Sequence, residues 1–244
     1  MDIEIKGSGP LRVVAVHGIQ GTRAAWSPVA EALADAATWV LPNLRGRGAA
    51  PRPTAAGGYA LERYADDLDD AVRAHCGGRP YVLAGWSMGV SVILEALRRS
   101  NAARPAGLVL VSGTPCLAQA RWFRQEGDAL LREVAQRQQR LGMRVAADHA
   151  AVAATWQAIR GLDHRASLAA IAEPALVIHG SDDTDSPLSH GLWLAEGLPR
   201  ASQYVIAGAG HSVLTENTAD VARQIRRFLQ HGIFPAVPES THEN

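Results

Sequence analysis

Cysteine and lysine are scarce in this chain of 244 residues. It has two cysteines, Cys76 and Cys116, and Lys6 is its only lysine. Two cysteines are too few for a disulfide framework. The sequence therefore predicts a reduced, cytoplasmic protein, with a single Cys76–Cys116 bridge as the alternative.

Long apolar runs and net charge are missing as well. Residues 1–6 alternate like an edge strand and lack the apolar core of a signal peptide, and no run approaches a membrane span. The formal net charge is +0, so no overall field would attract nucleic acid or an anionic membrane. Metal-ligand spacings, phosphate-binding glycine loops and the dinucleotide fingerprint are also absent. We therefore expect no membrane or nucleic-acid partner, no metal, no cofactor, and a monomer.

Short apolar runs alternate with segments of helical periodicity along most of the chain. The runs predict strands near 3–6, 11–16, 38–42, 81–85, 107–112, 175–179 and 202–206. The periodic segments predict helices near 24–36, 61–75, 88–100, 189–197 and 217–230. This alternation is typical of α/β proteins, and it predicts a mostly parallel twisted sheet with helices on both faces.

The pentapeptide GWSMG at 85–89 follows an apolar run and precedes a predicted helix. This context is typical of a G-x-S-x-G nucleophile elbow, where a sharp turn holds a serine hydroxyl in the open beside a base. Glycine is needed on both sides because the turn crowds its neighbours. We therefore expect Ser87 to be a catalytic nucleophile; the alternative is a serine that only shapes a turn.

Two later strand ends supply candidates for the base and the acid that such a serine needs. The run ending at 178 leads into a loop with Asp182, Asp183 and Asp185, and the run ending at 206 leads into Gly-Ala-Gly-His at 208–211. Of the nine histidines, His211 alone follows the last strand in a Gly-x-Gly-His loop. His211 is therefore the expected general base.

The chain resembles the α/β-hydrolase superfamily along almost its whole length. The matching stretches are HGIQG at 17–21, LRGRG at 44–48, the elbow, and the loops after the last two strands in the order Ser, Asp, His. The family pattern Gly-x-x-Asp followed by a proline selects Asp183 as the acid, with Asp182 as the alternative. The resemblance also implies an oxyanion hole made by the backbone amides of Ile19 and Met88.

Residues 116–171 do not fit the strand–helix alternation. The resemblance implies that this interval is a helical cap over the active site, inserted after the sixth strand. The predicted division is a core of residues 1–115 and 172–234, a cap of residues 116–171, and a loosely ordered tail at 235–244. The cap interval has eight arginines and five carboxylates, so it is net positive in a chain of zero net charge.

In motif detail the chain is similar to the pimeloyl-[acyl-carrier-protein] methyl ester esterases of biotin synthesis. The shared elements are Gly-Trp-Ser-x-Gly at the elbow and a small-small-x-Pro-Cys stretch at 112–116. The resemblance implies a serine esterase that forms an acyl-enzyme, with its ester presented on an acidic acyl-carrier protein. The alternatives are a lactonase, thioesterase or acyltransferase on the same fold, or a non-enzymatic ligand-binding protein.

Two sets of residues are candidates for contact with the substrate or its carrier. Aromatic residues beside the catalytic loops or in the cap would line the substrate site: Trp26, Trp86, Trp122, Phe123 and Trp156. Core packing is the alternative for each of them. Cap arginines would contact the carrier protein: Arg121, Arg124, Arg137, Arg140 and Arg144. The alternative for this second set is a solvated helix face.

Overall fold

A seven-stranded sheet forms the centre of the computed structural model, which describes residues 2–55, 57–99 and 104–233. The strands are β1 (Asp2–Lys6), β2 (Leu11–Val16), β3 (Ala37–Asn43), β4 (Tyr81–Trp86), β5 (Gly107–Val111), β6 (Ala175–Gly180) and β7 (Ala201–Ile206). They lie in the order β1-β3-β2-β4-β5-β6-β7. β1 pairs antiparallel with β3, and the other neighbouring strands pair in parallel.

Helices connect the strands. They are α1 (Ser27–Ala32), α2 (Leu61–Cys76), α3 (Met88–Arg99), α4 (Gly127–Arg140), α5 (His149–Ile159), α6 (Leu188–Gly197), α7 (Val213–Glu216) and α8 (Thr218–Arg227). Short 3₁₀ segments cover Arg23–Trp26, Leu117–Gln119 and Arg165–Ala170, and a π-helical turn covers Phe228–Gly232.

All seven predicted strands are confirmed, each to within one residue at either end. The predicted helix over 24–36 is wrong in its extent, because a 3₁₀ turn precedes α1 and α1 ends at Ala32. A proline at the start of α1 suits the first helical turn but not a helix interior, so the two segments do not merge. The helix predicted over 217–230 also ends earlier than expected, since α8 gives way to the π-helical turn.

The sheet is covered on both faces, as in α/β proteins with parallel strands. Val14 of β2 lies in one apolar cluster with Leu68 of α2 and Ile93 of α3. Its neighbour Val13 points the other way and lies in a second cluster with Ile225 of α8. The loops at the carboxyl ends of the parallel strands therefore extend from a sheet that is packed on both faces.

Helices α4 and α5 form the segment between β5 and β6, which we call the cap segment (residues 116–171). The cap segment was expected after the sixth strand, but it follows the fifth, because only four strands precede β5 in this chain. Its ends are tied to each other, since Cys116 and Asp163 form an isolated antiparallel bridge. The division into core, cap and tail stays a prediction, and the tail at 235–244 lies outside the described residues.

Neither cysteine is in a disulfide: Cys76 and Cys116 are free and buried. The alternative of a Cys76–Cys116 bridge is therefore wrong for this structure. Within the described ranges, no helix has the length and apolar character needed to cross a membrane.

Candidate active site

The elbow places Ser87 between β4 and α3. β4 ends at Trp86, α3 begins at Met88, and Ser87 itself has φ of 56°. An L-residue in this left-handed region is strained, and such strain persists only where the surroundings enforce it. The turn is also tightly packed, because a Cβ on Gly89 would lie 2.3 Å from the carbonyl oxygen of Val16. Glycine at 89 thus lets the start of α3 approach the end of β2.

Three side chains from separate loops form one hydrogen-bonded chain. His211 Nε2 lies 2.9 Å from Ser87 Oγ, and His211 Nδ1 lies 2.8 Å from Asp183 Oδ2. All three residues are buried. The structure thus brings together the serine, histidine and aspartate that the sequence singled out, although 124 residues separate Ser87 from His211.

The loop after β6 holds the Asp183 carboxylate in place. Its second oxygen, Oδ1, accepts hydrogen bonds from the backbone amides of Asp185 (2.9 Å) and Ser186 (2.8 Å). Asp182 lies on the surface, where its carboxylate accepts a hydrogen bond from Ser181 Oγ. The two aspartates are adjacent in sequence, but only Asp183 faces His211. This geometry selects Asp183 over Asp182 as the partner of the histidine.

The loop after β2 carries Ile19, whose backbone amide is a predicted oxyanion donor. This loop lies close to the nucleophile, because a Cβ on Gly18 would lie 3.1 Å from Ser87 Cβ. The Ile19 carbonyl accepts a hydrogen bond of 2.6 Å from Nη2 of the buried Arg47. Arg47 also donates to Thr155 Oγ1 of α5 and to the Tyr64 hydroxyl. Arg47 therefore holds the peptide that follows Ile19, next to the one that carries the predicted oxyanion donor, a role that the sequence did not suggest beyond its place in LRGRG.

His17 supports the same loop as a neutral imidazole. Its Nδ1 lies 2.9 Å from the Gly18 carbonyl, and its Nε2 accepts a hydrogen bond of 3.1 Å from the Leu44 amide. Complete burial, with the nearby positive charge of Arg47, lowers the pKa of His17 from 6.5 to about 3. Protonation would put a second N–H against the Leu44 amide, so the fold requires the neutral form.

This requirement predicts acid sensitivity of the folded state. Between pH 6.5 and 3 the unfolded chain binds a proton at His17 that the folded protein does not, so stability falls as the pH falls. We expect His17 to account for about 2–3 kcal/mol of lost unfolding free energy between pH 6.5 and 4.5. Urea titrations at both pH values should show a smaller loss in His17→Gln than in the wild type. The exposed His231→Gln control should keep the wild-type loss, and an equal loss in all three proteins would contradict the assignment.

A cleft of about 280 Å³ opens beside the triad. Trp86 and Ser212, which flank Ser87 and His211 in sequence, line it together with residues 141–145 of the cap segment. The Trp86 indole donates a 3.1 Å hydrogen bond to the His211 carbonyl, and its ring centroid lies 5.4 Å from that of His211. Trp86 therefore borders the cleft one residue from Ser87, and its contact with substrate stays a prediction.

Trp26 does not lie at the site, so its prediction as a substrate-lining residue is wrong. Its side chain is fully buried, its indole nitrogen donates to the Val16 carbonyl at 3.0 Å, and its ring packs on Trp39. Both its polar atom and its ring face are thus used inside the core, which leaves nothing to contact a substrate.

The other three aromatic candidates form one cluster within the cap segment. Trp156 of α5 contacts the rings of Trp122 and Phe123 at centroid distances of 5.6 and 5.8 Å. Trp122 also contacts the loop after β6, because its indole donates to Ser186 Oγ at 3.2 Å. None of the three lines the cleft beside Trp86. Their contact with substrate stays a prediction. All three belong to the same apolar cluster as Val14 and Leu68, which joins the cap segment to the core.

Four of the five arginines predicted to contact a carrier protein are exposed, and one is not. The exposed ones are Arg121, Arg124, Arg140 and Arg144. Arg137 is buried, and its guanidinium pairs with Asp185 inside the protein. Its prediction as a carrier contact is therefore wrong, because a partner protein cannot reach it. Among the residues that the structure describes, no cluster of three or more His, Cys, Asp or Glu side chains could hold a metal ion.

Comparison with protein families identifies one match, the alpha/beta hydrolase family, whose model covers residues 13–224. Among curated proteins, the chain is similar to the pimeloyl-[acyl-carrier protein] methyl ester esterase of Chromobacterium violaceum. The two are 28% identical over 264 aligned positions, which cover 93% of this chain and 97% of the relative.

Solved structures show the same architecture. A thermophilic esterase from Thermogutta terrifontis superposes with a TM-score of 0.75 at 28% identity, covering 94% of this chain and 92% of the esterase. The esterase EaEST from Exiguobacterium antarcticum superposes with a TM-score of 0.81, covering 94% and 95% of the two chains. At 20% identity, this second likeness concerns the fold alone.

Proposed function

Because the chain belongs to the alpha/beta hydrolase family, we propose that it hydrolyses carboxylic esters with Ser87, His211 and Asp183 as its catalytic triad. The observation that carries the proposal is the continuous hydrogen-bonded chain from Asp183 through His211 to Ser87 Oγ. Family membership alone would leave the chemistry open, since one fold hosts many functions. A buried triad with this geometry is suited to acyl transfer.

The proposed reaction proceeds in two halves through an acyl-enzyme. His211 Nε2 takes the proton of Ser87 Oγ as the oxygen attacks the ester carbonyl, and then returns it to the departing alcohol. The carbonyl oxygen becomes an oxyanion that the Ile19 and Met88 amides stabilise, with the N-terminus of α3 directed at the same charge. Water then attacks the acyl-enzyme with His211 again as base, which releases the acid and restores Ser87.

Asp183 keeps His211 in the form that this cycle needs. With Oδ2 facing Nδ1, the carboxylate accepts a hydrogen bond from Nδ1–H, which keeps the proton on Nδ1 and leaves Nε2 free to accept a proton from Ser87. It also stabilises the imidazolium that forms once that proton has moved. The two backbone amides on its Oδ1 prevent the carboxylate from rotating away.

As the substrate we propose a methyl ester of an acyl chain carried on an acyl-carrier protein. The relative from Chromobacterium violaceum bears that activity in its name and matches nearly the full length of both chains. The exposed arginines of the cap segment, Arg121, Arg124, Arg140 and Arg144, offer a positive surface to an acidic carrier. Both cysteines are free thiols, in keeping with the cytoplasmic location that we propose.

Methanol release from methyl pimeloyl-acyl-carrier protein, with a free methyl ester beside it, tests this substrate. Rim charges mainly raise the association rate, so we expect Arg121→Glu combined with Arg124→Glu, two exposed arginines that do not line the cleft, to lower kcat/KM for the carrier-bound ester about tenfold or more. The free ester should be unaffected. Arg227→Glu, an exposed arginine on α8, is the matched control and should change neither rate.

The outcomes separate the ester chemistry from the carrier. Fast, salt-sensitive turnover of the carrier-bound ester alone supports the full proposal. Equal turnover and equal salt dependence for both esters would keep the esterase and reject the carrier. Labelling of Ser87 by a fluorophosphonate without turnover of any ester, thioester or lactone would reject the hydrolase and leave a ligand-binding protein.

A further inference from the structure

The geometry points to Arg137 of α4 as a positioning residue that holds the oxyanion loop and the acid loop in register from the cap segment. We define the oxyanion loop as residues 17–21 and the acid loop as residues 181–187. The inference rests on the proposed function, because it concerns how the same triad and oxyanion hole are held. It assigns to the cap segment a share in building the site as well as covering it.

One guanidinium contacts both loops. Arg137 Nη1 donates to Gln20 Oε1 at 2.6 Å, and Nη2 donates to Asp185 Oδ2 at 3.0 Å. The planar fork of arginine fixes the angle between two such hydrogen bonds, which a lysine ammonium cannot do. The distance between Gln20 and Asp185 is thus set by a rigid group that belongs to neither loop.

Each contact lies next to a group that the reaction uses. Gln20 follows Ile19, whose amide is the proposed oxyanion donor. Asp185 donates its own amide to Asp183 Oδ1, so a shift of Asp185 moves the acid that orients His211. Arg137 therefore contacts the residue next to the proposed oxyanion donor on one side and, on the other, a residue whose backbone amide binds the triad aspartate.

Further hydrogen bonds make the oxyanion loop depend on the cap segment. Gln20 Nε2 donates to the Val134 carbonyl of α4 at 2.9 Å, and the Gln20 carbonyl accepts from the Ala147 amide at 2.9 Å. With the contact to Arg137, every polar group of the Gln20 side chain is bonded to the cap segment. The Gln20 side chain is buried, so water does not compete for these bonds.

Burying a charged pair costs electrostatic free energy, so packing alone does not explain this arrangement. Burial lowers the pKa of Arg137, and Asp185 opposes that shift by pairing with it. For Asp185, burial raises the pKa, but Arg137 and the half-exposed Arg140 together hold it below its usual value. Replacing such a buried pair by apolar residues is often neutral or favourable for stability. A role in positioning explains why a charge lies here.

Arg137→Lys tests the positioning role while keeping the charge. A lysine can bind Gln20 or Asp185 but cannot bridge them with fixed geometry, so the position of one loop relative to the other is no longer fixed. Displacements of about 1 Å at a catalytic group can cost about 10²-fold in rate. We expect kcat for p-nitrophenyl acetate to fall about 10- to 100-fold, with KM changed less than threefold. Arg132→Met, which removes an exposed arginine from the same helix, should leave both constants unchanged.

Arg137→Met extends the test, and a second readout separates positioning from folding. Removing one partner of a buried pair destabilises strongly, so melting curves accompany every variant. If Arg137→Met does not fold, Arg137→Lys decides. Labelling of Ser87 by a fluorophosphonate should slow in step with kcat, because it needs the same base and oxyanion donors. A structural role alone would lower the melting temperature and leave both rates of the folded protein intact.

The result that overturns the inference is a folded Arg137→Lys with kcat and labelling within twofold of Arg132→Met. A rise in KM with unchanged kcat would overturn it as well, since it would make Arg137 a substrate contact. If the wild type turns over no ester, the proposed function fails, and the labelling rates of the variants then test the positioning role of Arg137 alone. If wild-type Ser87 is not labelled either, there is no reactive site to position and both proposals fall.

Discussion

Ser87→Ala should lower kcat for every carboxylic ester by about 10⁶-fold, the order of loss seen when a triad serine is removed. The reason is that Ser87 Oγ, 2.9 Å from His211 Nε2, has no substitute: no other hydroxyl among the described residues forms a hydrogen bond to that nitrogen. The residual rate should come from the oxyanion donors and from substrate binding, which persist without the nucleophile. The measurement is single-turnover and steady-state hydrolysis of p-nitrophenyl acetate, with burst amplitude reporting the acyl-enzyme.

Ser91→Ala is the matched control, because it removes a hydroxyl one helical turn along from Ser87. Ser91 Oγ donates to the Thr114 carbonyl at 3.1 Å and contacts no triad member. Losing that bond should cost about 1 kcal/mol in stability, with kcat within twofold of the wild type. Ser87→Ala should remain folded and should not react with a fluorophosphonate. Retention of wild-type turnover by Ser87→Ala would refute the serine mechanism.

The second large effect is expected at the acid: Asp183→Asn should lower kcat by about 10⁴-fold. Asp183 Oδ1 accepts two backbone amides, so the oxygen of an introduced asparagine amide will face those amides. Its NH₂ group then faces His211 Nδ1 and donates to it. The proton of the neutral imidazole moves to Nε2, which can no longer accept the proton of Ser87.

Asp182→Asn provides the comparison for this prediction, since it makes the same chemical change one residue earlier. The Asp182 carboxylate lies on the surface and accepts only from Ser181 Oγ within the described residues. Its replacement should change kcat less than threefold. The decisive measurement is kcat for both variants on one ester, with equal circular dichroism spectra. Full activity in Asp183→Asn with loss in Asp182→Asn would reverse the assignment.

Features that depend on neighbours in sequence were predictable without a structure. The seven strands follow from apolar runs, and the elbow follows from glycines two residues before and after Ser87. These signals are local because the turn needs a missing Cβ at Gly85 and Gly89 whatever the rest of the chain does. His211 was singled out for a similar reason, since a loop after the last strand of a parallel sheet ends at its carboxyl edge.

Features that depend on distant partners were not predictable in the same way. From the composition of the cap segment, Arg137 was predicted to be a surface charge. Trp26 was predicted to line the substrate site because it lies near a catalytic loop in sequence. The structure buries both, because Arg137 finds Gln20 and Asp185 while Trp26 finds the Val16 carbonyl. An arginine reads the same in a sequence whether its charge is buried or exposed. A buried charge needs a partner, and that partner is visible only in the folded structure.

The fold class, the strand positions and the three loops that carry Ser87, Asp183 and His211 could be predicted from the residues alone, since each rests on local patterns of size and polarity. Which carboxylate faces the histidine and which cap arginine points inward became visible only in the folded chain. These two outcomes depend on contacts between residues that are far apart in sequence. Asp183 meets His211 across 28 residues and Arg137 meets Gln20 across 117. Contacts so distant form only once the chain has folded and the segments that carry the two partners have packed together.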